Sequence, residues 1–311
     1  MRLVFAGSPA AAVPSLEALV ASRHDVAAVV TRADSPRGRK RVLTPTEVAD
    51  AAGRLGVPVI RTDRLDEDTT REIEELRPDL GVIVAYGGLV REPLLSTPRL
   101  GWINLHFSLL PRWRGAAPVQ RAIMAGDDLT GATVFHLVPE LDAGDIYGSL
   151  TAPIGAHETA GHLLDSLAVD GAHLLTRVVD LLASGDARPE EQRGDVTLAP
   201  KLTLDDARID WARPAREVFD RIRGVTPEPG AFTELVDARL GTVKLGVAEA
   251  ALARDAAALE PGRFALVGRA VLVGTATHPL ELVRVHPAGK RVMAAADWWR
   301  GRGSDIPEVA S

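Results

Sequence analysis

Short apolar runs alternate with amphipathic helical segments through the first half of the chain. The runs have the length and β-branched content of buried strands, and they cover residues 3–6, 26–31, 57–60, 80–84 and 102–105. Apolar residues at helical spacing occupy the intervening segments, residues 10–21, 45–55 and 67–76. The second of these opens with a capping-box pattern that predicts an N-cap at Thr44 and Pro45 at the first helical position. This alternation predicts a parallel sheet with helices on both faces.

The pattern changes in the second half of the chain. Strands are predicted at residues 132–138 and near 146–152, followed by a long amphipathic helix over 159–184. A further helix at 215–224 precedes short apolar runs separated by Gly, Pro and Asp, at 231–235, 243–248, 262–267, 270–273 and 280–285. Such spacing is typical of a small β-barrel. We therefore predict an α/β chain with an open parallel sheet in an N-terminal domain, residues 1–204, and a smaller C-terminal β-barrel domain, residues 205–311.

Composition places the chain among globular proteins of about two domains. Its 311 residues are 46% hydrophobic and 25% charged, and they include no cysteine, which excludes disulfides and thiolate nucleophiles. No uninterrupted apolar run reaches the ~18 residues that cross a membrane. Two prolines, a glycine and a glutamate interrupt the N-terminal stretch where a signal peptide would need an apolar core. We therefore expect a cytoplasmic protein.

Positive charge is concentrated in residues 32–41, here named the basic arm, although the whole chain has a net charge of −6. The arm holds five positive side chains and one negative side chain. Pro36 and Gly38 oppose regular structure, so we expect a mobile arm that meets phosphate groups. A solvated loop without a partner is the alternative.

Asn104 is the only asparagine of the chain, and it precedes His106 by two positions at the end of a predicted strand. Side chains at i and i+2 of a strand point the same way, and ligands collect beyond the carboxyl ends of parallel strands. Asp142 follows the next strand, in a turn that carries two carboxylates. Together the three residues would supply an oxyanion donor, a proton carrier and a carboxylate that orients it. Taken singly, each has an ordinary structural role as its alternative.

Two other classes of chemistry are disfavoured. The turn after the first strand, at Gly7, lacks the further glycines of a dinucleotide site, and no Gly-x-x-x-x-Gly-Lys motif occurs for nucleotide triphosphates. The histidines have no spacing that predicts a metal site, so we expect no metal. His136 is expected to pack in the core, with a position in the pocket as the alternative.

The segment from Ser108 to Arg121 reads Ser-Leu-Leu-Pro-Arg-Trp-Arg-Gly-Ala-Ala-Pro-Val-Gln-Arg, which is a long and specific motif. With it the chain closely resembles the methionyl-tRNA formyltransferase family. The likeness runs nearly end to end and includes residues 14–19, 84–87, 144–145, 207–211 and 287–290.

The resemblance implies transfer of a formyl group from 10-formyltetrahydrofolate to the amino group of methionine on initiator tRNA, with no obligatory protein partner. It implies a catalytic trio of Asn104, His106 and Asp142. The implied folate contacts are Ser108, Leu109, Leu110 and Pro111. The implied tRNA contacts are Arg37, Arg39, Lys40 and Arg41, with the C-terminal β-barrel domain also binding tRNA.

The chain departs from the family at positions outside the trio. Glu228 stands between two prolines where relatives often have tryptophan, and Ala11 stands where they have phenylalanine. Three other functions remain open: formylation of an amino sugar nucleotide, hydrolysis of the formyl donor, and folate or RNA binding without activity. An enzyme that formylates an amino sugar nucleotide has less need of a basic arm and a C-terminal β-barrel. An intact trio argues against a protein that binds folate or RNA without activity.

Overall fold

The computed structural model describes residues 1–37, 41–237, 241–302 and 308–309. The chain forms two compact units. The first comprises Met1–Pro118, Leu129–Pro153 and Leu164–Ala199, and the second comprises Val119–Asp128, Ile154–Leu163 and Pro200–Ser311. Because each unit draws on several stretches of chain, the predicted domain boundary after residue 204 stays a prediction.

The strands of the described residues are, in chain order, β1 (Arg2–Gly7), β2 (Asp25–Thr31), β3 (Ser35–Arg37), β4 (Val42–Thr44), β5 (Val59–Arg61), β6 (Leu80–Val84), β7 (Trp102–His106), β8 (Arg114–Gly115), β9 (Leu129–His136), β10 (Ile146–Pro153), β11 (Leu198–Ala199), β12 (Phe232–Asp237), β13 (Gly241–Leu252), β14 (Phe264–Val267), β15 (Ala270–Val273), β16 (Leu280–Pro287), β17 (Met293–Ala294) and β18 (Glu308–Val309). The α-helices are α1 (Val13–Val20), α2 (Glu47–Leu55), α3 (Glu67–Glu75), α4 (Pro118–Met124), α5 (Ala160–Ser184), α6 (Leu204–Ala207), α7 (Ala215–Gly224) and α8 (Ala295–Arg300). Short 3₁₀ turns lie at Ala10–Ala12 and Leu94–Ser96. No helix within these described ranges is long and apolar enough to cross a membrane.

The main sheet of the first unit has the strand order β10-β9-β7-β6-β1-β2-β5. Strands β5, β2, β1, β6 and β7 are parallel, whereas β9 pairs antiparallel with β7 and β10 pairs antiparallel with β9. The parallel strands are buried almost throughout, as their continuous apolar runs predicted. The predicted parallel-rich α/β architecture is confirmed, and it brings the carboxyl ends of β1, β2, β6 and β7 to one edge.

Helix α2 begins later than its sequence pattern predicted. Thr46, not Thr44, is the N-cap, and its hydroxyl accepts a hydrogen bond from the backbone N–H of Ala49 at 3.0 Å. The same hydroxyl lies 2.7 Å from that of Thr31 in the protein interior. Thr44 instead ends β4, and Pro45 precedes the cap. The predicted cap was wrong because a buried contact with β2 selects the second threonine.

Part of the basic arm is regular structure. Strands β3 and β4 form an antiparallel pair in which Ser35 is opposite Thr44 and Arg37 is opposite Val42. The prediction that Pro36 opposes regular structure was wrong, because a proline lacks only one ladder donor and is tolerated in an edge strand. Gly38, Arg39 and Lys40 lie outside the described residues, as does the side chain of Arg37.

The second unit contains an antiparallel sheet with the order β14-β15-β16-β13-β12-β18, and β17 pairs with β16. Its β-rich character, predicted from the short apolar runs, is confirmed. Trp298 is buried in its core, where its ring centroid lies 6.1 Å from that of Phe264.

A buried arginine of α7 forms an ion pair within its helix and also bonds a distant segment of the second unit. The Arg223 guanidinium lies 2.6 Å from the Asp220 carboxylate, and both side chains are almost fully buried. Arg223 also donates to the backbone carbonyls of Gly155 and Glu158, at 3.1 and 2.8 Å. These bonds connect α7 with the segment that leads into α5, which explains why residues 154–163 belong to this unit.

Candidate active site

Strand β7 carries Asn104 and His106 on the same side of the sheet, since alternate strand residues share a face. Its neighbours β6 and β9 flank it on both edges, so the two residues lie on an interior strand. His106 is buried and Asn104 is half-buried. Within the part of the chain that the structure describes, no hydrogen bond involves the Asn104 side chain. Its amide is therefore available to a ligand.

The two ring nitrogens of His106 face different acceptors. Nε2 lies 2.8 Å from the carbonyl oxygen of Trp113, and Nδ1 lies 3.8 Å from Oδ2 of Asp142. Because a carbonyl oxygen can only accept, we assign the proton of the neutral ring to Nε2. The 3.8 Å separation at Nδ1 exceeds hydrogen-bond length, so the contact with Asp142 is electrostatic. The structure thus brings together all three residues of the predicted trio.

Burial lowers the pKa of His106 below its ordinary value, while the Asp142 carboxylate and the Trp113 carbonyl act in the opposite direction. Desolvation is the larger effect because a charged ring loses its hydration inside the protein. The buried position therefore favours the neutral ring. A neutral ring with two acceptors beside it becomes a stabilised cation once it takes up a proton.

Asp142 is held by several bonds in the loop between β9 and β10. Its backbone has φ = 46°, a left-handed conformation that aspartate tolerates better than most residues. Its Oδ2 accepts a hydrogen bond from the backbone N–H of Gly115 at 2.7 Å. Gln192 donates from Nε2 to the carbonyl oxygens of Asp142 and Gly144, at 2.8 and 2.9 Å. The loop is thus tied to two separate parts of the first unit.

Arg114 completes this network. Its Nε and Nη2 lie 3.2 and 2.6 Å from Oε1 of Gln192. Gly115 follows with φ = 123°, and a Cβ there would lie 2.7 Å from the Ala199 carbonyl oxygen, so only glycine fits. Sequence reasoning gave none of these residues a role, although Arg114 and Gly115 lie in the motif from Ser108 to Arg121. Gln192 lies in a polar connector and gave no signal.

A cavity of about 510 Å³ lies beside this loop. It is lined by residues 92, 95, 96 and 98–101, which precede β7, and by residues 136–139, which end β9 and begin the loop that carries Asp142. His136 is half-buried and lines this cavity, so its predicted position in the core was wrong. The cavity is lined by none of the trio, so a position of His136 in the catalytic pocket stays a prediction. Burial lowers its pKa, and its Nδ1 has no hydrogen-bond partner among the described residues.

The chain matches two family models, "Formyl transferase" over residues 1–179 and "Formyl transferase, C-terminal domain" over residues 201–303. It is 63% identical to a methionyl-tRNA formyltransferase of Clavibacter sepedonicus over 301 residues, which are 97% of each chain. It is 59% identical to one from Leifsonia xyli subsp. xyli, over 98% of this chain and 99% of the other. The chain belongs to the formyl transferase family.

The fold of this family extends to more distant solved structures. One is an N-formyltransferase from Helicobacter canadensis in complex with folinic acid and dTDP-3-aminofucose. It is similar to this chain with a TM-score of 0.67 at 15% identity, over 90% of this chain and 98% of the other. At that identity the likeness shows a shared fold. The resemblance that the sequence motif indicated is confirmed by the closer relatives.

The folate-contacting segment predicted from the formyl transferase resemblance, Ser108 to Pro111, forms the turn after β7. The Ser108 hydroxyl donates to the Arg112 carbonyl at 2.6 Å, and the Ser108 carbonyl accepts from the Thr133 hydroxyl at 2.7 Å. Leu109 is half-buried, and Leu110 and Pro111 are buried. These contacts hold the turn against β9, and contact with folate stays a prediction.

Of the predicted tRNA contacts in this formyl transferase, the side chain of Arg41 alone lies among the described residues, and it is exposed. The exposed apolar side chains of Val42 and Leu43 follow it on β4. Within the described ranges, no group of three or more His, Asp or Glu residues is arranged to hold a metal ion. The expectations of tRNA contact and of a reaction without metal stay predictions.

Proposed function

We propose that this chain transfers a formyl group from 10-formyltetrahydrofolate to the amino group of methionine on initiator tRNA, in the cytoplasm. The observation that carries the proposal is the 63% identity to a methionyl-tRNA formyltransferase across 97% of both chains. The site supports the same reaction, because it combines an amide that has no hydrogen-bond partner among the described residues, an imidazole and a carboxylate on one side of the sheet.

The formyl donor is proposed to bind beyond the carboxyl end of β7, where Asn104, His106 and the turn that follows them lie. Ligands of open parallel sheets bind beyond the carboxyl ends of the strands, so a ring bound there would lie next to the residues that do the chemistry. The Helicobacter canadensis enzyme, which shares the fold, was solved with folinic acid, a formylated reduced folate. The turn at Ser108–Leu109–Leu110–Pro111 is the proposed contact for the donor.

In the first step the neutral amine attacks the formyl carbon, a C–N bond forms, and negative charge develops on the carbonyl oxygen. The Asn104 side chain is proposed to donate a hydrogen bond to that oxygen. Such a donor accelerates the reaction because its bond strengthens as the charge develops. Its lack of a partner among the described residues means that no internal bond must break first.

In the second step the former amine loses a proton, the bond from the formyl carbon to the folate nitrogen breaks, and that nitrogen gains a proton with the released electron pair. His106 is proposed to carry this proton. Its lowered pKa leaves it neutral and able to accept, and the Asp142 carboxylate at 3.8 Å stabilises the imidazolium that forms. Asp142 is thus the proposed partner of the charged ring.

The acceptor is proposed to be held by the basic arm, through Arg37, Arg39, Lys40 and Arg41, and by the C-terminal domain, residues 205–311. A second candidate acceptor is an amino sugar nucleotide, because the fold relative from Helicobacter canadensis was solved with dTDP-3-aminofucose. The match to the C-terminal domain model over residues 201–303 and the 63% identity favour tRNA.

The test is formyl transfer by the purified full chain with 10-formyltetrahydrofolate and one acceptor at a time: charged initiator tRNA, charged elongator methionine tRNA, or a dTDP-amino sugar. We expect formylmethionyl-tRNA to form fastest with the initiator, and a His106→Ala variant to serve as the inactive control. Faster formylation of the sugar would overturn the proposal in favour of the second candidate. Release of formate at the same rate with and without acceptor would identify a hydrolase.

A further inference from the structure

We propose that Gln192 and Arg114 are positioning residues, which hold the loop of Asp142 at the distance from His106 that formyl transfer requires. This inference rests on the proposed function, which supplies the reaction that the loop serves. Neither side chain belongs to the predicted trio, and both act through Asp142 rather than on the substrates.

Gln192 bridges the two ends of the turn that presents Asp142. Its Nε2 donates two hydrogen bonds, to the carbonyl oxygens of Asp142 at 2.8 Å and of Gly144 at 2.9 Å. One amide nitrogen therefore fixes the backbone on both sides of Ala143. Because the amide uses both of its protons there, a residue without two donors at this position cannot replace it.

Arg114 decides which way the amide of Gln192 faces. A guanidinium has only donors, so its contacts of 3.2 and 2.6 Å require the oxygen of the amide to point toward Arg114. The nitrogen must then point toward the carbonyl oxygens of the loop. Both side chains are half-buried, so few water molecules compete for these bonds.

The backbone of Asp142 needs such support. Its φ of 46° is unfavourable for a residue with a Cβ, and such conformations persist where surrounding bonds enforce them. The bond from the Gly115 N–H to Oδ2 orients the carboxylate, and β8, which contains Arg114 and Gly115, pairs with β11 just beyond Gln192. The segments of β8, the loop and the connector thus form one hydrogen-bonded assembly.

Loss of the bridge should move the carboxylate away from His106. Misplacement of a catalytic group by about 1 Å can cost on the order of 100-fold in rate. We expect Gln192→Met to lower kcat by about 10- to 100-fold with little change in KM for either substrate. Gln192→Glu keeps the size and an acceptor for Arg114 but has no N–H groups, so it should be as slow.

A second readout separates positioning from general instability. The histidines are isotopically labelled, the His106 ring is assigned with a His106→Asn variant, and its titration is followed by NMR. The carboxylate of Asp142 raises the pKa of His106, so Gln192→Met should lower it further, in the same direction as Asp142→Asn. The exposed neighbour Glu191, changed to alanine, is the matched control and should leave kcat and the titration unchanged.

The double variant Arg114→Met with Gln192→Met should be no slower than the slower single variant, because the two residues act through one set of bonds. Unchanged kcat and unchanged His106 titration in Gln192→Met and Gln192→Glu would overturn the inference. So would additive losses in the double variant. If Gln192→Met does not fold, Gln192→Glu decides. If the wild-type chain formylates no tRNA, the proposed function fails, and the titration still decides whether Gln192 positions Asp142.

Discussion

Replacing Asn104 by alanine should reduce catalysis far more than it reduces stability. The side chain is half-buried on β7, and no residue among those described forms a hydrogen bond with it. Its truncation to alanine therefore leaves no hydrogen-bonding group among the described residues without its partner. If the amide donates to the developing oxyanion, its value is realised only in the transition state.

The two magnitudes are well separated. Loss of one oxyanion-hole donor lowers kcat by about 10²- to 10³-fold, or roughly 2.7–4 kcal/mol of transition-state stabilisation. Loss of a side chain with no internal hydrogen bond should change the free energy of unfolding by less than about 1 kcal/mol. KM for the formyl donor should change little, because the ground-state carbonyl oxygen is not charged.

The assay is single-turnover formyl transfer at saturating donor, with urea unfolding of the same preparations. Asn104→Asp is the matched variant, because it preserves the shape of the side chain while it removes the N–H donor. It should be at least as slow as Asn104→Ala, since a carboxylate would repel the oxyanion.

Three results would refute this reasoning. Near-normal turnover in Asn104→Ala would show that the amide does not stabilise the transition state. Recovery of activity in Asn104→Asp would show that shape, not hydrogen bonding, matters. A loss of unfolding free energy as large as the loss of transition-state stabilisation would assign the residue to the fold.

Two further predictions concern the basic arm and three histidines whose pKa is lowered. Alanine at all four basic positions proposed to contact tRNA should flatten the salt dependence of tRNA binding. Each lost phosphate contact removes roughly 0.7–0.9 from the slope of log binding constant against log salt concentration. An unchanged slope in filter binding would identify a solvated loop. Burial lowers the pKa of His24, His106 and His136 below the ordinary 6.5. Below that pH the unfolded chain therefore binds more protons than the folded chain does. The free energy of unfolding should then fall as the pH drops below about 6.5. Urea unfolding at pH 7.5 and 5.5 measures this change. Both pH values lie above the ordinary pKa of an aspartate carboxyl group, 3.8. Equal free energies of unfolding at the two pH values would contradict the prediction.

Periodicity alone placed most of the regular structure. The predicted strand at residues 80–84 matches β6, and the predicted helix at 215–224 matches α7, at both ends. Continuous apolar runs and helical spacing are local properties, so they can be read from a short stretch of chain. The shared face of Asn104 and His106 follows in the same way from the two-residue repeat of a strand.

The approach of Asp142 to His106 needed more than periodicity. The sequence motif and the family resemblance selected the three residues, but only the folded loop shows the carboxylate 3.8 Å from Nδ1. Local sequence likewise could not reveal the lowered pKa of His106, since desolvation depends on everything packed around the ring.

The sequence by itself determined where strands and helices form, which side chains share a face, and which family the motif from Ser108 to Arg121 resembles. Tertiary structure alone decided that Thr46 caps α2, that β3 of the basic arm pairs with β4, and that Gln192 reaches the loop of Asp142. Each of these depends on a contact between separate segments of the chain. Gln192 lies 50 positions from Asp142, and no local pattern of polarity records such a bond, because a buried hydrogen bond requires only that donor and acceptor meet in space.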